Sequence, residues 1–178
     1  MNGRPLAAVI LAAGQGTRMK SDMHKVLHPI AGKPMLHHLL DTIDAIGVER
    51  TVLVVGARRE QVEASVAGRN VDIVVQEKQL GTGHAVQQAR DALDGFAGDV
   101  LILYADVPLV EGATMRALVD RLHQGDELRA VVLGFRPDDT AAYGRIEADE
   151  RGLIERMVEF KDATPEQRAI TLCNSGLM

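Results

Sequence analysis

The chain has a single cysteine, Cys173, no tryptophan, and aromatic residues at only 3% of its 178 positions. One cysteine excludes an internal disulfide framework and a multi-cysteine zinc site. We therefore expect a reducing, cytoplasmic location. The scarcity of aromatic residues leaves the core to Leu, Val, Ile and Ala, and it leaves few rings on which exposed nucleobases could stack.

Long hydrophobic runs and an excess of positive charge are lacking as well. The longest apolar run, residues 6–13, is far shorter than the ~20 residues that span a bilayer. Lys and Arg number 20 against 25 Asp and Glu, which gives a formal net charge of −5. Because broad nucleic-acid binding needs a basic stripe, we expect neither nucleic acid nor a membrane as a partner.

What the chain does contain is an alternation of two apolar patterns, which predicts an α/β fold. Nearly all-apolar, β-branched runs separated by helical apolar spacing are typical of βαβ units, with a mainly parallel sheet covered on both faces. The predicted architecture is Rossmann-like and doubly wound. Strands are predicted at 6–11, 51–55, 71–75, 100–104 and 130–133, and helices at 36–46, 83–93 and 115–122.

The last fifth of the chain breaks this alternation. Segments 144–148 and 153–160 read as strands around the turn 150–152, with no helix between them. This pattern predicts a short antiparallel portion near the C-terminus. A final strand is predicted at 170–178 with no capping segment after it. We therefore expect residues 1–178 to form a single domain that is incomplete at its C-terminus.

A glycine-containing loop, residues 11–20, follows the first predicted strand. Gly14 and Gly16 let backbone N–H groups approach a polyanion closely, and Arg18 and Lys25 add positive charge. Ligands of an open parallel sheet bind beyond the carboxyl ends of its strands. The loop is therefore predicted to hold the phosphates of a nucleotide.

Two better-known glycine motifs do not fit this loop. A dinucleotide fingerprint has a third glycine where Met19 stands, and an acidic residue after the second strand, where Gly56 stands. A Walker loop has Gly-Lys followed by Ser or Thr, which the loop does not contain. On the loop alone, a plain surface turn with charged side chains stays open as an alternative.

Seven further blocks, in order along the chain, extend the pattern. With the glycine loop, the blocks are 11–19 (LAAGQGTRM), 25–28 (KVLH), 31–35 (AGKPM), 79–85 (QLGTGHA), 103–109 (LYADVPL), 143–146 (YGRI), 159–164 (EFKDAT) and 174–176 (NSG). Together they resemble the signature of the sugar-nucleotide pyrophosphorylases. Within that family they are most similar to the uridylyltransferase domains of the bacterial bifunctional N-acetylglucosamine-1-phosphate uridyltransferases/glucosamine-1-phosphate acetyltransferases.

The resemblance implies a nucleotide-diphospho-sugar transferase fold and a reaction. Uridylyl transfer from UTP to N-acetylglucosamine 1-phosphate would give UDP-N-acetylglucosamine and pyrophosphate, with Mg2+ as cofactor, for peptidoglycan and lipopolysaccharide synthesis. It also implies that the longer relatives are homotrimers, that a second magnesium ligand lies beyond position 178, and that no acetyltransferase β-helix is present here. We therefore expect the chain to be only partly active.

The same resemblance implies roles for individual residues. Arg18, Lys25 and Asp106 are expected to be catalytic, with Asp106 as the magnesium ligand. Ala105 stands where the family has glycine, so its methyl group is expected to crowd a passing ligand. The expected substrate contacts are Leu11, Ala12, Ala13, Gly14 and Lys25 for the nucleotide, Gln76, Gly81 and Thr82 for uracil, Tyr104, Ala105 and Asp106 for the floor, and Gly144, Glu159 and Asn174 for the sugar.

Simpler interpretations stay open for several of these residues. Thr82 is expected to cap the helix at 83–93 as well as to meet a ligand. Asp106 could start a turn, Gln76 could be a surface amide, and Glu159 could form a solvated pair with Lys161. For the whole chain, the alternatives are a nucleotidyltransferase for another base or sugar 1-phosphate, and a non-catalytic module that binds UTP or a UDP-sugar.

Overall fold

The computed structural model describes residues 3–14, 16, 19–125, 127–140 and 142–178. The strands are β1 Leu6–Ala12, β2 Pro29–Ile30, β3 Lys33–Pro34, β4 Arg50–Val55, β5 Asp72–Val75, β6 Asp99–Tyr104, β7 Gly134–Phe135, β8 Arg145–Ala148, β9 Ile154–Val158 and β10 Cys173–Asn174. The helices are α1 Met35–Ala45, α2 Arg59–Ser65, α3 Thr82–Gln88, α4 Gly112–Leu122 and α5 Pro165–Arg168, and the 3-10 turns are Lys25–Leu27, Asp91–Leu93 and Phe160–Asp162.

The central sheet has the order β5-β4-β1-β6, and all of its neighbouring strands are parallel. One of its two inner strands, β1, places Val9 opposite Val52 on one side and Ile102 on the other. All seven residues of β1 are buried. A strand with a helical layer on each face has no polar side, which is why its sequence is a continuous apolar run.

Helices cover both faces of this sheet. On one face Ile10 and Leu53 pack in a cluster with Leu39 of α1, Val62 of α2 and Met115 of α4. On the other face, the cluster contains alternate residues in and just after the strands, Ala85 of α3 and Ala89 at its C-cap. Its buried members are Val9, Leu11, Ala13, Val52, Val54, Ala85 and Ala89. The doubly wound α/β architecture predicted from the sequence is therefore confirmed.

The predicted antiparallel portion is a second sheet with the order β7-β10-β8-β9. Its three pairs, β7 with β10, β10 with β8, and β8 with β9, are all antiparallel. This sheet joins the central one through the end of the chain. Met178 exchanges two backbone hydrogen bonds with Ile102 on the outer edge of β6, with N–O distances of 2.6 and 3.2 Å.

Two of the predicted strands are wrong in extent. Residues 130–133 are not a strand, and only Gly134 and Phe135 pair with β10. Of the predicted strand 170–178, only Cys173 and Asn174 form β10. Gly176 has a φ of +82°, and Leu133 bonds Ser175 and Leu177 on either side of it, at 3.2 and 2.9 Å, so the pairing here is irregular.

The loop region after β1 also contains more structure than the sequence suggests. A hairpin joins β2 to β3, between the glycine loop and α1, where the sequence analysis predicts no strand. Its two turn residues, Ala31 and Gly32, have φ values of +49° and +82°, as in the two-residue hairpin turns that match strand twist. None of the helices in the described ranges is long and apolar enough to cross a membrane.

Candidate active site

A cleft of about 400 Å3 opens at the carboxyl ends of β1 and β6, beside the start of α3. This is the edge at which an open parallel sheet binds its ligands. Ten of the residues expected from the sequence line it. The lining consists of Leu11, Ala12, Ala13, Gly14, Lys25, Val26, Gln76, Gln79, Gly81, Thr82, Ala85, Tyr104 and Asp106.

The glycine loop forms the wall of the cleft after β1. The carbonyl oxygen of Ala13 accepts a hydrogen bond from the Gln79 amide nitrogen (2.6 Å). Gly16 has a φ of +59°, and a Cβ at this position would lie only 2.7 Å from the Cβ of Lys25. Glycine at position 16 therefore allows both the left-handed backbone and the close approach of Lys25. Arg18 lies outside the described residues.

Lys25 and Asp106 face each other across the cleft. The Lys25 Nζ donates a hydrogen bond to the Asp106 Oδ2, and about one third of each side chain is exposed, 31% and 33% respectively. The turn after β6 is closed by Val107, whose N–H donates to the carbonyl of Tyr104 (3.0 Å). The Asp106 side chain therefore pairs with a cation, while its backbone lies in the turn after β6.

The segment before Lys25 is fastened to the start of α2. The Gln61 side chain accepts a hydrogen bond from the His24 N–H (2.6 Å) and donates one to the carbonyl of Asp22 (2.9 Å). Arg58 donates to the carbonyl of Ser21 (3.0 Å). Burial, together with the nearby Arg58 charge, lowers the pKa of His24, so this ring stays neutral and adds no charge beside Lys25.

Gln76 follows β5 and is 5% exposed, so the interpretation as a surface amide is wrong. Its backbone N–H donates to the carbonyl of Val55 (2.8 Å). Its side-chain nitrogen lies 3.1 Å from the Gly81 carbonyl oxygen and 3.0 Å from His84 Nδ1. Three groups therefore fix the position of Gln76 at the cleft wall.

The expectation that Thr82 caps a helix at 83–93 is wrong. The N-cap is Gly81, with a φ of +104°, and no side chain makes the capping bond. Thr82 is instead the first residue of α3, which ends at Gln88. Because Gly81 makes the left-handed turn into the helix, the Thr82 side chain is free of the capping role and is exposed beside the cleft.

Gly144, Glu159 and Asn174 do not line the cleft, but they meet in the second sheet. The Asn174 N–H donates to the Gly144 carbonyl (2.9 Å), and a Cβ on Gly144 would lie 3.6 Å from both Glu159 carboxylate oxygens. Asn174 Oδ1 accepts from the Gly176 N–H (2.8 Å), and a Cβ on Gly176 would lie 2.7 Å from the Tyr104 ring. Because Tyr104 also lines the cleft, it connects these residues of the second sheet to the cleft.

Two remaining expectations concern single side chains. Ala105 is fully buried, and its methyl group packs in the core with Leu103 and Met115. It does not line the cleft, so the structure gives it no role in crowding a ligand. Lys161 pairs with Asp162 (4.0 Å), whereas the pairing considered from the sequence was with Glu159.

Three lining residues were not predicted: Val26, Gln79 and Ala85. Gln79 carried a usable signal, because it is a polar residue in the loop after a buried strand, directly before a glycine-containing turn. Val26 and Ala85 are apolar and carry none. Within the described ranges, no group of three or more His, Cys, Asp or Glu side chains could hold a metal. Asp106 is the carboxylate of the cleft lining.

A parallel sheet with a glycine loop, a lysine and a strand-end aspartate at its carboxyl edge is an arrangement typical of nucleotide-binding α/β enzymes. Residues 8–159 match the sequence model of the MobA-like NTP transferase domain, so the chain belongs to this family of nucleotidyltransferases. It is 65% identical over 178 residues to the bifunctional protein GlmU of Rhizorhabdus wittichii, covering 100% of this chain and 39% of that relative. The resemblance seen in the sequence blocks is thereby confirmed.

Solved structures of similar proteins agree with the fold. HddC from Yersinia pseudotuberculosis, complexed with GMP-PN, has 25% identity and a TM-score of 0.70, over 96% of this chain and 74% of that one. Rv0371C from Mycobacterium tuberculosis, in complex with manganese, has 27% identity and a TM-score of 0.55, over 65% and 58% respectively. These two neighbours bind a nucleotide analogue and a divalent cation.

Proposed function

We propose that the chain transfers a uridylyl group from UTP to N-acetylglucosamine 1-phosphate, forming UDP-N-acetylglucosamine and pyrophosphate. The observation that carries the proposal is the facing pair of Lys25 and Asp106, set in a cleft whose other walls are the glycine loop and the Gln76 to Thr82 segment. The 65% identity to a protein named bifunctional GlmU supports the choice of reaction. The chain spans about two fifths of that relative's length.

In this proposal the glycine loop and two cations hold the triphosphate. The backbone after Leu11 lies against the phosphates, as small residues permit. Lys25 supplies a point charge at the cleft wall, and Arg18 is proposed to supply a second one. In the described chain, the cleft lining contains one cation, Lys25, and one anion, Asp106, whose charges cancel. Neutralising a polyphosphate therefore needs Lys25, Arg18 and a divalent metal.

Asp106 is the residue proposed to hold Mg2+. One carboxylate suits this ion, which keeps several waters and is completed by substrate phosphates. When bound, the ion neutralises and aligns phosphate oxygens. The Asp106 carboxylate is partly exposed, at the carboxyl end of β6, and its partner Lys25 is itself a proposed phosphate ligand. Arrival of the metal and phosphates would therefore separate the pair and give each group a new partner.

The proposed uridylyl transfer requires little acid–base chemistry from the protein. A phosphate oxygen of N-acetylglucosamine 1-phosphate attacks the α-phosphorus of UTP, the bond to the bridging oxygen of the β-phosphate breaks, and pyrophosphate leaves. The attacking oxygen is already anionic, so no general base is needed, and positioning with charge neutralisation dominates the catalysis. Gln76, Gly81 and Thr82 would hold the uracil.

The sugar is proposed to lie against the second sheet. Gly144, Glu159 and Asn174 offer backbone, carboxylate and amide groups in one place, and Tyr104 connects that place to the cleft. We also propose a cytoplasmic location and a role for the product in peptidoglycan and lipopolysaccharide synthesis.

The test is a titration of the chain with UTP, with and without Mg2+, followed by a pyrophosphate-release assay with N-acetylglucosamine 1-phosphate. Glucose 1-phosphate serves as the control acceptor, and dTTP, GTP and ATP serve as control nucleotides. We expect Mg2+-dependent binding of UTP and release of pyrophosphate with the N-acetylated sugar. Preference for another nucleotide would indicate a different nucleotidyltransferase. Binding without pyrophosphate release would indicate a non-catalytic module, and absence of UTP binding would reject the proposal.

A further inference from the structure

The second sheet contains a fully buried charge, the guanidinium group of Arg145. Arg145 is the first residue of β8, and only 1% of its surface is exposed. In the described ranges its partners include no carboxylate, and consist of two backbone carbonyls and an aromatic ring. Burying a charge is costly unless the group is hydrogen-bonded. These contacts therefore have to hold the guanidinium group in one place.

The guanidinium group of Arg145 holds its own strand and two further segments together. Its Nη1 donates to the carbonyl of Tyr143, directly before Gly144. Its Nε and Nη2 both donate to the carbonyl of Arg168, at the end of α5 (3.4 and 3.3 Å). Its Cζ lies over the ring of Phe160, 5.5 Å from the centroid, which is within the range of a cation–π contact. One planar group thus fixes the relative positions of these three segments.

Two of these contacts lie directly beside proposed sugar contacts. Gly144 follows the carbonyl that Nη1 holds, and Glu159 precedes the ring of Phe160. A Cβ on Gly144 would lie 3.6 Å from both carboxylate oxygens of Glu159. Among the described residues no hydrogen bond or ion pair holds the Glu159 side chain, so its position depends on how its backbone is held. That backbone is held on one side by Val158, which pairs with Arg145, and on the other by Phe160.

We propose that Arg145 is a positioning residue for the sugar: it sets the Glu159 carboxylate against the Gly144 backbone without itself touching the ligand. This inference rests on the proposed function. The cleft lining contains neither Arg145 nor Phe160, so loss of the guanidinium group weakens binding of the sugar and leaves binding of the UDP moiety. Lysine does not replace arginine here, because a point charge on a flexible stem has no planar fork for the Arg168 carbonyl.

The experiment measures the affinities of UDP-N-acetylglucosamine and of UDP for the folded chain by calorimetry in the presence of Mg2+. Arg145→Lys keeps the charge and removes the fork, and Arg145→Met keeps a long side chain without charge. We expect both variants to lower the ratio of UDP-N-acetylglucosamine to UDP affinity about tenfold, as the loss of one hydrogen bond from a charged group implies. The affinity for UDP itself is expected to stay unchanged.

A second pair of variants tests the same link at Phe160, which is only half-buried and so puts folding less at risk. Phe160→Leu removes the ring and is expected to lower the ratio about threefold, as the loss of a cation–π contact implies. Phe160→Tyr keeps the ring and is expected to keep the ratio, which a general loss of packing would not do. Combining Phe160→Leu with Arg145→Lys should lower the ratio little further than Arg145→Lys alone, since both changes remove one link.

The matched control is Arg156→Met, which removes a positive charge from an exposed position of β9, opposite Glu147. We expect it to leave the ratio unchanged. An unchanged ratio in Phe160→Leu, or in folded Arg145→Lys, would overturn the role of Arg145 while leaving the proposed function intact. A wild-type chain that binds UDP and UDP-N-acetylglucosamine equally would reject the proposed sugar contacts together with this inference. A chain that binds neither would reject the proposed function as well.

Discussion

The ammonium group of Lys25 donates a hydrogen bond to the carboxylate of Asp106, although the two residues are 81 positions apart in the chain. Lys25 stands at the start of a 3-10 turn in the loop after β1, and Asp106 follows β6, the strand that pairs with β1. Parallel pairing brings the two loops to the same edge of the sheet. The sheet therefore creates a site of paired opposite charges that no local sequence signal contains.

Replacing Lys25 with alanine is expected to weaken UTP binding about tenfold to a hundredfold, because a charge-assisted hydrogen bond to phosphate is lost. Calorimetric titration with UTP measures the change. The matched control is Lys33→Ala, since Lys33 also forms a partly exposed pair with an aspartate, Asp41, but lies on the β2–β3 hairpin outside the cleft. Equal losses in the two variants would contradict a specific role for Lys25.

Asp106→Asn tests the carboxylate without removing its hydrogen-bond acceptor for Lys25. We expect the variant to lose the Mg2+ dependence of UTP binding and to release pyrophosphate at least about a hundredfold more slowly, because the neutral amide is a poor magnesium ligand. Thermal unfolding is expected to change little, since partly exposed ion pairs contribute about 0–1 kcal/mol. A variant that keeps both its metal dependence and its turnover would show that another residue holds the metal.

The sequence allowed prediction of those parts of the fold that follow from local chemistry. The apolar runs of β1, β4, β5 and β6 predicted a parallel sheet, and the small residues after β1 predicted a loop at its carboxyl edge, which lines the cleft. The missed features depend on distant partners. Residues 130–133 have strand-like composition, but Leu133 bonds Ser175 and Leu177 on either side of Gly176, so its pairing is irregular. The cap of α3 was assigned to Thr82, but the N-cap is Gly81, with a φ of +104°, and Thr82 is the first residue of the helix.

The candidate site likewise has some features that local sequence predicts and others that depend on distant contacts. Ten cleft residues were expected because their motifs resemble a known family and because they lie at strand ends. The position of the buried Gln76 side chain was not predictable, since it depends on its contacts with the Gly81 carbonyl and with His84. Gln79 was overlooked as a lining residue although its place after a buried strand indicated one, and only its contact with the Ala13 carbonyl, 66 positions away, depends on the fold.

Asp41 gives a prediction about stability and pH away from the cleft. Hydrogen bonds from Lys33, and then from Arg69, lower the pKa of its carboxyl group from 3.8 to about 2. A carboxyl group whose pKa is lower in the folded state stabilises the protein above its unfolded pKa. That contribution is lost as the pH falls from about 4 through 2. Because the side chain is 43% exposed, we expect at most about 1 kcal/mol.

The measurement is urea unfolding of the wild type and of Asp41→Asn between pH 2 and 5. The free energy of unfolding of the wild type should fall more steeply over this range, and the two proteins should converge near pH 2. Asp162→Asn is the control, because its partner Lys161 is 4.0 Å away at the exposed surface. Parallel pH profiles for wild type and Asp41→Asn would show that the pair with Lys33 and Arg69 contributes nothing in solution.

Gly176→Ala tests whether the second sheet and the cleft form one site. A methyl group here would meet the Tyr104 ring at 2.7 Å, and the φ of +82° strains any side chain. The Gly176 N–H also holds the Asn174 side chain (2.8 Å). We expect UDP-N-acetylglucosamine to bind about tenfold more weakly, with a smaller change for UDP, because Asn174, a proposed sugar contact, shifts relative to Tyr104.

Gly152→Ala is the matched control, because Gly152 has a similar φ of +77° in the β8–β9 turn but no neighbour within 4 Å. If that variant weakened sugar-nucleotide binding equally, backbone strain in the second sheet would explain the effect, and contact with Tyr104 would not. Since the two glycines share the left-handed conformation and differ in their neighbours, the difference between their variants isolates the contact that joins the second sheet to the cleft.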